Sequence, residues 1–290
     1  MRALKIFQKG WNLGQDGPGN RLVYHLQGCN LVCPWCANPE GITAKGELII
    51  RRDRLLSEVC PHGAIREQVL DRKVCKTCEA MECVTLNPNE GIRLSCVDYS
   101  VSELMEEVRA SRHLFHGGGG VTLSGGEPTV QFKAVRAFLE ELKAEGVNTT
   151  VETNGTYPGL PELFPLIDTL IIDLKHYDNA KAKKTVGQGN KTVLENISRA
   201  TESHGCVWLR ITLIPGFNSS PADIEQFVSL VSKLPQKHLS VELLSYHEYG
   251  RVKWEQCGMK YNMNCTAITK QNVAEYELLF RQAGVNVIRT

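Results

Sequence analysis

An alternation of short apolar runs with amphipathic segments, beginning near residue 98, is the feature that most constrains the fold of this chain. Residues 130–145 place apolar side chains at the i, i+3, i+4 and i+7 spacing of one helical face, and Gly146 ends the pattern. Ser220 and Pro221 mark the start of another helix, and residues 270–283 form the last long one. Predicted strands cover residues 121–124, 147–152, 169–174, 207–213 and 239–244. Repeated βα units of this kind predict a parallel sheet with helices outside it.

Composition narrows the class of protein. The 290 residues fit one large α/β domain or two small ones, and a net charge of +1 gives no reason to expect nucleic acid or an acidic membrane surface as a partner. No apolar run approaches the length of a membrane span, and the first residues lack the apolar core of a signal peptide, so we expect a cytoplasmic protein. In a reducing compartment, eleven cysteines indicate metal ligation rather than disulfides.

Three of the cysteines, Cys29, Cys33 and Cys36, have the spacing C-x3-C-x2-C. Three thiolates this close can hold three irons of a 4Fe–4S cluster and leave the fourth iron open to a substrate, whereas an electron-transfer cluster normally has four protein ligands. A closed zinc site is the alternative, but structural zinc prefers four ligands, usually in C-x2-C pairs. The spacing therefore favours an open iron–sulfur cluster, which implies an anaerobic setting because oxygen damages an exposed iron.

The three-cysteine string, with Trp35 just before its last cysteine, resembles that of the radical S-adenosylmethionine (SAM) superfamily. The string at residues 16–29, Asp-Gly-Pro-Gly-Asn-Arg-Leu-Val-Tyr-His-Leu-Gln-Gly-Cys, resembles one branch of it, the glycyl radical enzyme activating enzymes. Further matching strings follow in the family's order at residues 118–128, 152–155, 173–175, 210–218 and 246–250. The resemblance implies an α/β fold, a partial (β/α)6 TIM-like barrel formed by residues 1–36 and 99–290, with a cysteine-rich ferredoxin-like iron–sulfur insert at residues 37–98.

The resemblance also assigns contacts to SAM. Gly125, Gly126 and Glu127 would bind the amino group of SAM, where missing side chains permit close approach. Asp173 would accept hydrogen bonds from the ribose hydroxyls, and Lys175 would bind the SAM carboxylate. The remaining candidates for the SAM cavity are Trp35, Thr153, Asn154, Arg210 and His247. Each residue alone has an ordinary structural explanation, so the assignment depends on the ordered set.

The insert carries a second set of cysteines. Two-cluster ferredoxins use the run C-x2-C-x2-C-x3-C-P twice, and relatives in this family commonly carry such an insert. In this chain Ile50, Asp53 and Leu56 occupy the positions of the first triplet, and Asn87-Pro88 stands where the second Cys-Pro is expected. The four remaining ligands, which would hold one auxiliary 4Fe–4S cluster, are Cys60, Cys75, Cys78 and Cys83. Zinc bound by the same thiolates is the main rival, and Cys96 is an alternative to Cys60 as fourth ligand.

The resemblance implies an oxidoreductase with a defined reaction. Such an enzyme, reduced by an external flavodoxin or ferredoxin, cleaves SAM to a 5′-deoxyadenosyl radical, which abstracts a hydrogen from a glycine of a partner glycyl radical enzyme. We expect it to be a monomer. Two alternatives remain open. One is a radical SAM enzyme that acts on a small molecule, and the other is an iron–sulfur electron carrier, which needs neither an open iron nor a SAM loop.

Overall fold

The structure, a computed structural model, describes residues 3–56, 59–75, 78–86, 89–264 and 267–290. Its strands are β1 Ala3–Leu13, β2 Asn20–Leu26, β3 Leu48–Ile50, β4 Ile65–Arg66, β5 Val69–Leu70, β6 Ile92–Leu94, β7 Val97–Ser100, β8 Gly120–Gly125, β9 Asn148–Thr153, β10 Thr169–Asp173, β11 Val207–Leu213, β12 Leu239–Ser245 and β13 Val287–Ile288. Its α-helices are α1 Arg72–Cys75, α2 Glu82–Thr85, α3 Val101–Ser111, α4 Phe132–Ala144, α5 Asn179–Val186, α6 Lys191–Ser203, α7 Pro221–Val231, α8 Arg251–Gln256 and α9 Lys270–Gln282. Short 3-10 helices cover Pro39–Gly41, Arg52–Arg54, Arg112–Leu114, Pro128–Gln131 and Leu160–Leu166. Within these ranges, no helix is both long enough and apolar enough to cross a membrane.

A nine-stranded sheet forms the centre of the molecule, in the order β13-β12-β11-β10-β9-β8-β2-β1-β7. Strand β2 and strands β8 to β13 run parallel to one another. On one side of the sheet, β1 pairs antiparallel with β2, and β7 pairs antiparallel with β1. Six long parallel strands therefore lie side by side, and the predicted α/β fold with partial barrel architecture is confirmed. The five strands predicted from the sequence agree with the observed ones to within a residue or so at each end.

Helix α4 illustrates how the apolar pattern sets the packing. Its buried side chains are those predicted from the helical spacing, namely Val135, Phe138, Leu139 and Leu142. The helix begins at Phe132 rather than near residue 130, because Pro128–Gln131 first forms a 3-10 turn. Fully burying an apolar side chain contributes about 1.5–3 kcal/mol, so this face is sufficient to hold α4 against the sheet.

A loop at residues 14–19 closes the barrel at the amino ends of its strands. Arg21, at the start of β2, is fully buried beneath this loop. Its guanidinium donates to the Pro18 carbonyl at 3.0 Å and to Thr122 Oγ1 at 2.7 Å, which ties the loop to β8. The Asp16 carbonyl accepts a further hydrogen bond from the Thr122 hydroxyl at 2.7 Å. The loop is thereby fixed by the barrel strands, and its Asp16 side chain is held inside the barrel.

Between β2 and β7 the chain forms a smaller structure with two-stranded sheets, β3 with β6 and β4 with β5. Its apolar cluster of buried residues is Ile50, Leu55, Val59, Ile65, Cys83 and Ile92. Among the described residues, every non-glycine residue with positive φ lies here, namely Glu67, Gln68, Met81 and Glu90. A left-handed backbone costs about 1–2 kcal/mol per non-glycine residue, so this region combines a small core with local strain.

Candidate active site

A cavity of about 610 Å³ lies at the carboxyl ends of the parallel strands. Gly125 ends β8, Thr153 ends β9 and Asp173 ends β10, and all three line it. This is the edge of the sheet at which α/β barrels place their sites. The structure brings together at this cavity Cys29, Cys33, Trp35, Cys36, Gly125, Gly126, Thr153, Asn154, Asp173, Lys175, Arg210 and His247. These are all the predicted barrel residues except Glu127.

The loop that follows β2 carries the three clustered thiols. Burial raises the pKa of Cys29 to about 11 and that of Cys33 to about 12, and it also raises the pKa of Cys36. The thiols of Cys29 and Cys33 each feel the charge of neighbouring cysteines, which raises their pKa values further, whereas Lys175 lowers all three. Burial and the neighbouring thiols thus favour the protonated form, so binding of a metal cation would be coupled to loss of the thiol protons.

Two loops of the site are joined through their backbones. Glu127 N donates to the Gly28 carbonyl at 2.8 Å, and Gly28 N donates to the Gly41 carbonyl at 2.8 Å. A Cβ atom on Gly126 would lie only 2.2 Å from the Gly28 oxygen, and one on Gly125 would lie 2.2 Å from Leu26 N. Gly125 is therefore required by close packing on β2, and Gly126 by the packing of the glycine loop on the loop that follows β2. Both also line the cavity, and the expectation that their missing side chains admit a ligand stays a prediction.

Glu127 has a different place from the one expected of it. Its side chain is fully buried and is not among the described residues that line the cavity. The carboxylate accepts from Thr129 N at 3.0 Å, Thr129 Oγ1 at 2.6 Å, Thr153 Oγ1 at 2.8 Å and Asn154 N at 2.7 Å. Burial nevertheless raises the pKa of Glu127. The side chain thus fixes the end of β9 and places Thr153 and Asn154 in the cavity wall.

Asp173 and Lys175 meet at the end of β10, on one face as the strand alternation predicts. Lys175 Nζ lies 3.1 Å from Asp173 Oδ2. Burial by itself would lower the pKa of Lys175, but the charges of Asp173, Cys33 and Cys29 outweigh it and raise the pKa above its usual range. The ammonium therefore stays charged beside the thiols.

Arg210 is surrounded by carboxylates from the neighbouring strands. Its Nε donates to Glu242 Oε2 at 2.7 Å, a second guanidinium nitrogen pairs with Glu152, and a third donates to the Gln15 carbonyl at 2.6 Å. Burial would lower the pKa of Arg210, but Glu152, Glu242 and Asp173 outweigh it and raise the pKa. Most of its donors are thus already satisfied by the protein, and the side chain forms part of the cavity wall.

Asp16 and Glu152 also line the cavity and were not singled out as site residues from the sequence. Burial, reinforced by the nearby charge of Glu152, raises the pKa of Asp16 to about 7. Glu152 accepts a hydrogen bond from the Ser124 hydroxyl. Both residues belong to strings that carried the family resemblance, so a signal was present, but their proximity depends on how the loop at residues 14–19 folds into the barrel.

Aromatic rings lie beside the cysteine loop and at the edge of the cavity. Trp35 is nearly buried, with its ring 4.9 Å from that of Phe217. His247 is exposed, and its ring stacks on Tyr249 at 4.3 Å. Tyr249 is itself 84% exposed, so this pair forms an edge of the cavity that is open to solvent.

The donor set of the cavity fits an iron–sulfur cluster with three protein ligands and a bound SAM. Cys29, Cys33 and Cys36 are half-buried on one loop, and all three line the cavity. Lys175 offers a cation for a carboxylate, Asp173 offers acceptors for hydroxyls, and Trp35 offers an apolar wall. A volume of about 610 Å³ lies in the usual range for a small-molecule site.

The cysteines of the insert also gather at one place. Burial raises the pKa of Cys83, and the charges of Cys60, Cys75 and Cys78 raise it further. Burial raises the pKa of Cys96, and the nearby charges that act on its thiol are those of Lys5 and Asp98. The charge of Cys60, by contrast, raises the pKa values of Cys75 and Cys83, which favours Cys60 over Cys96 as a member of this group.

A histidine and an acid adjoin one of these thiols, that of Cys78. The ligand atoms of His62, Cys78 and Glu82 all lie within 4.8 Å of one another. This set of donors is compatible with a metal site in the insert. Asn87 and Pro88, where the ferredoxin pattern breaks, lie outside the described residues.

Comparisons with known proteins place the chain in a family. The model of the radical SAM superfamily matches residues 23–231. The 4-hydroxyphenylacetate decarboxylase activating enzyme of Clostridioides difficile (strain CD196) is 32% identical over 288 residues, which cover 93% of this chain and 90% of the relative. The (2S)-3-sulfopropanediol dehydratase activating enzyme of Klebsiella oxytoca is 30% identical over 298 residues, covering 94% of this chain and 92% of the relative.

Solved structures agree on the fold. A radical SAM methyltransferase from Sphaerobacter thermophilus superposes with a TM-score of 0.53 at 14% identity, over 99% of this chain and 75% of that one. At this identity the likeness concerns the fold alone. Together with the family match and the relatives above, it leads to one conclusion: the chain belongs to the radical SAM superfamily and, within it, to the activating enzymes of glycyl radical enzymes.

Proposed function

We propose that this protein activates a glycyl radical enzyme by generating a radical beside its three-cysteine loop. When bound, the cluster and SAM supply an electron and a 5′-deoxyadenosyl radical, which takes one hydrogen atom from a glycine of the partner. The observation that carries the proposal is that three half-buried cysteines and the Asp173–Lys175 ion pair line the same cavity at the strand ends. Relatives named as activating enzymes, about 30% identical over more than nine-tenths of the chain, support it.

The side chains of the cavity have separate tasks in this proposal. Cys29, Cys33 and Cys36 hold the cluster. Lys175, whose raised pKa keeps it charged at neutral pH, binds the carboxylate of SAM, and Asp173 accepts from the ribose hydroxyls. These groups bind and orient SAM, while the apolar neighbours of the cysteine loop exclude water.

The amino group of SAM is received by the glycine loop. Because the Glu127 carboxylate is occupied by four donors, backbone oxygens at Gly125 and Gly126 are the acceptors we propose. Glu127 then acts indirectly, by positioning the end of β9. The other proposed SAM contacts are Trp35, Thr153, Asn154, Arg210 and His247.

The proposal extends to the insert. Cys60, Cys75, Cys78 and Cys83 hold one auxiliary 4Fe–4S cluster, and zinc is the less favoured occupant. The mutual effects of these thiols on their pKa values support a shared site. Anaerobically reconstituted protein should then contain about eight irons per chain. A content of about four irons and one zinc per chain would show that zinc, and not a second cluster, occupies the insert. A content of about twelve irons per chain would contradict the ligand assignment.

The wider setting is part of the same proposal. The electron comes from a reduced flavodoxin or ferredoxin, and the enzyme works as a monomer in the cytoplasm. We also propose residues 1–36 and 99–290 as the barrel domain and residues 37–98 as the iron–sulfur insert. Size-exclusion chromatography with light scattering tests whether the protein is a monomer. A molar mass of two chains would contradict this part of the proposal.

A deuterium-transfer experiment tests the function itself. Peptides of about seven residues are taken from candidate partner enzymes, with their glycine deuterated at Cα. Transfer of label into 5′-deoxyadenosine supports the activating function, because the peptide need not leave a folded core before it binds. The same peptide with alanine in place of glycine is the matched control and should transfer far less.

Two outcomes contradict the proposal. If neither peptides nor intact partner enzymes transfer label while a metabolite does, the protein acts on a small molecule. If the reduced protein does not cleave SAM at all, it is an electron carrier.

A further inference from the structure

A groove runs along helix α8 on the outside of the molecule. It consists of two adjoining hollows of about 410 Å³ each, which share Arg52 and Glu255. Its walls are residues 50–54 of the insert and residues 251–261, and we call it the α8 groove. None of these residues belongs to the cavity described above.

The α8 groove is strongly cationic. Five cations line it, Arg51, Arg52, Arg54, Arg251 and Lys260, against two carboxylates, Asp53 and Glu255. The whole chain, by comparison, has a net charge of only +1. A cluster of like charges on a neutral protein produces a local field that attracts a partner of opposite charge.

These cations are weakly neutralised. Arg51 lies 3.8 Å from Glu90, Arg54 lies 3.7 Å from Asp53, and Arg251 lies 3.6 Å from Glu248, in long ion pairs at the surface. Such exposed pairs contribute little and exchange readily with solvent or with a partner. Arg52 and Lys260 are exposed, and among the described residues no carboxylate lies within 4.0 Å of either.

Apolar side chains lie between the charges. Val252, on α8, is 62% exposed, and Ile50 and Tyr261 also line the groove. An apolar centre with a charged rim is the usual anatomy of a protein interface. The small size of the groove fits the weak, short-lived contacts of redox partners rather than a permanent complex.

The other side of α8 reaches the catalytic loop. Trp254 Nε1 donates to the carbonyl of Cys36 at 2.8 Å, and the ring of Tyr261 lies 5.7 Å from that of Trp254. Gly250 packs so closely that a Cβ there would lie 2.9 Å from the same Cys36 oxygen. One short helix thus separates the groove from a proposed cluster ligand, through two aromatic rings and one hydrogen bond.

We propose that the α8 groove is the docking surface for an acidic protein that donates one electron. One electron leaves the reduced donor, which is oxidised by one unit, and passes by way of Tyr261 and Trp254 to the cluster that Cys29, Cys33 and Cys36 would hold, which would be reduced by one unit. No covalent bond is made or broken. The cavity mouth stays free for SAM and the glycine substrate. This inference rests on the proposed function, which requires an electron from outside but does not say where it arrives.

Charge reversal tests the surface. Arg52→Glu and Lys260→Glu are combined in one variant, and Lys233→Glu and Lys237→Glu in a matched control with the same change in net charge. Both control lysines are exposed and lie in the segment between α7 and β12. Reduced flavodoxin and reduced ferredoxin serve as donors. The cluster absorbance is followed by stopped flow at several salt concentrations, and donor binding to the holoenzyme is measured separately.

We expect the Arg52/Lys260 variant to be reduced at least about tenfold more slowly than wild type at low salt, with weaker donor binding and a flatter salt dependence. The control should stay within about twofold of wild type. Equal rates of cluster reduction in the two variants would overturn the inference. It would also be overturned if dithionite reduces the wild-type protein but neither flavodoxin nor ferredoxin does. SAM cleavage driven by dithionite distinguishes failure of the docking surface from failure of the proposed function. If the wild-type protein does not cleave SAM even with dithionite, the proposed function itself is wrong.

Discussion

The barrel and the cysteine-rich insert are held together in different ways. The barrel has one continuous core to which the sheet and the inward faces of the helices contribute fully buried side chains, such as Phe138 and Phe227. Among its described residues, the insert has an apolar cluster of only six buried residues, and four non-glycine residues are in left-handed conformations. Burial of this small extent does not offset the ordering of some sixty residues. The difference teaches that apolar packing specifies the barrel, whereas the small core of the insert leaves a larger share of its stability to the metal site proposed for its cysteines.

The largest effect is expected at the catalytic loop. Cys29→Ala, Cys33→Ala or Cys36→Ala should abolish SAM cleavage and leave the barrel folded, because this loop is carried by the sheet rather than supporting it. Production of 5′-deoxyadenosine measures SAM cleavage, and the far-ultraviolet circular dichroism spectrum shows whether the barrel is folded. Retained cleavage in any one variant would refute the assignment of the three ligands.

A matched pair of core substitutions challenges the comparison directly. Phe138→Ala should lower the free energy of unfolding of the barrel by about 3–5 kcal/mol, because it leaves a cavity in a fully buried core. Leu55→Ala, at a buried position of the insert, should leave the main unfolding transition nearly unchanged and speed proteolysis within the insert. Chemical denaturation measures the free energy of unfolding, and limited proteolysis measures the rate of cleavage within the insert. If Phe138→Ala and Leu55→Ala lower the free energy of the main transition by similar amounts, the barrel and the insert unfold as one unit.

The pH dependence of stability sharpens the picture of the barrel interior. Burial and Glu152 raise the pKa of Asp16 to about 7 in the folded protein, from 3.8. Between pH 4 and 7 the folded protein therefore keeps a proton that the unfolded chain has lost, and stability falls as the pH rises through this window. We expect a decline of about 2 kcal/mol, since solvent reaches part of the side chain.

Asp16→Asn is the control for this titration. Denaturation midpoints across the pH range should decline less in this variant than in wild type. Identical pH profiles would show that Asp16 is ionised throughout.

The smallest effect is expected in the barrel when the insert is altered. Cys75→Ala should remove about four irons per chain yet change the free energy of unfolding of the barrel by less than about 1 kcal/mol. Iron analysis gives the iron content per chain, and the main denaturation transition gives the free energy of unfolding of the barrel. A large loss of barrel stability would show that the auxiliary ligands support the whole molecule.

The sequence was informative where a pattern is local. The i, i+3, i+4 spacing of α4 and the apolar runs of the strands are set by neighbouring residues, and their positions were predicted closely. The three cysteines and the β10 pair Asp173 and Lys175 also lie within a few residues of each other, and the structure places them at one cavity.

Contacts made across the fold were not predictable in the same way. Glu127 binds the end of β9, and a carboxylate that braces a loop has the same sequence signature as one that meets a ligand. Arg210 finds Glu242 because β11 and β12 pair in a register that sets these two residues side by side. Such partners depend on strand order and register, which the family strings do not encode.

The backbone contact between the cysteine loop and the glycine loop has a consequence for affinity. The close approach of Gly126 to Gly28 and the Glu127–Gly28 hydrogen bond hold the two loops together by contacts within the protein, with no ligand required. The apparent dissociation constant for SAM equals the intrinsic one when every molecule has this arrangement. A side chain at residue 126 would lower the competent fraction and raise the apparent constant by the same factor, although every contact in the competent form is unchanged.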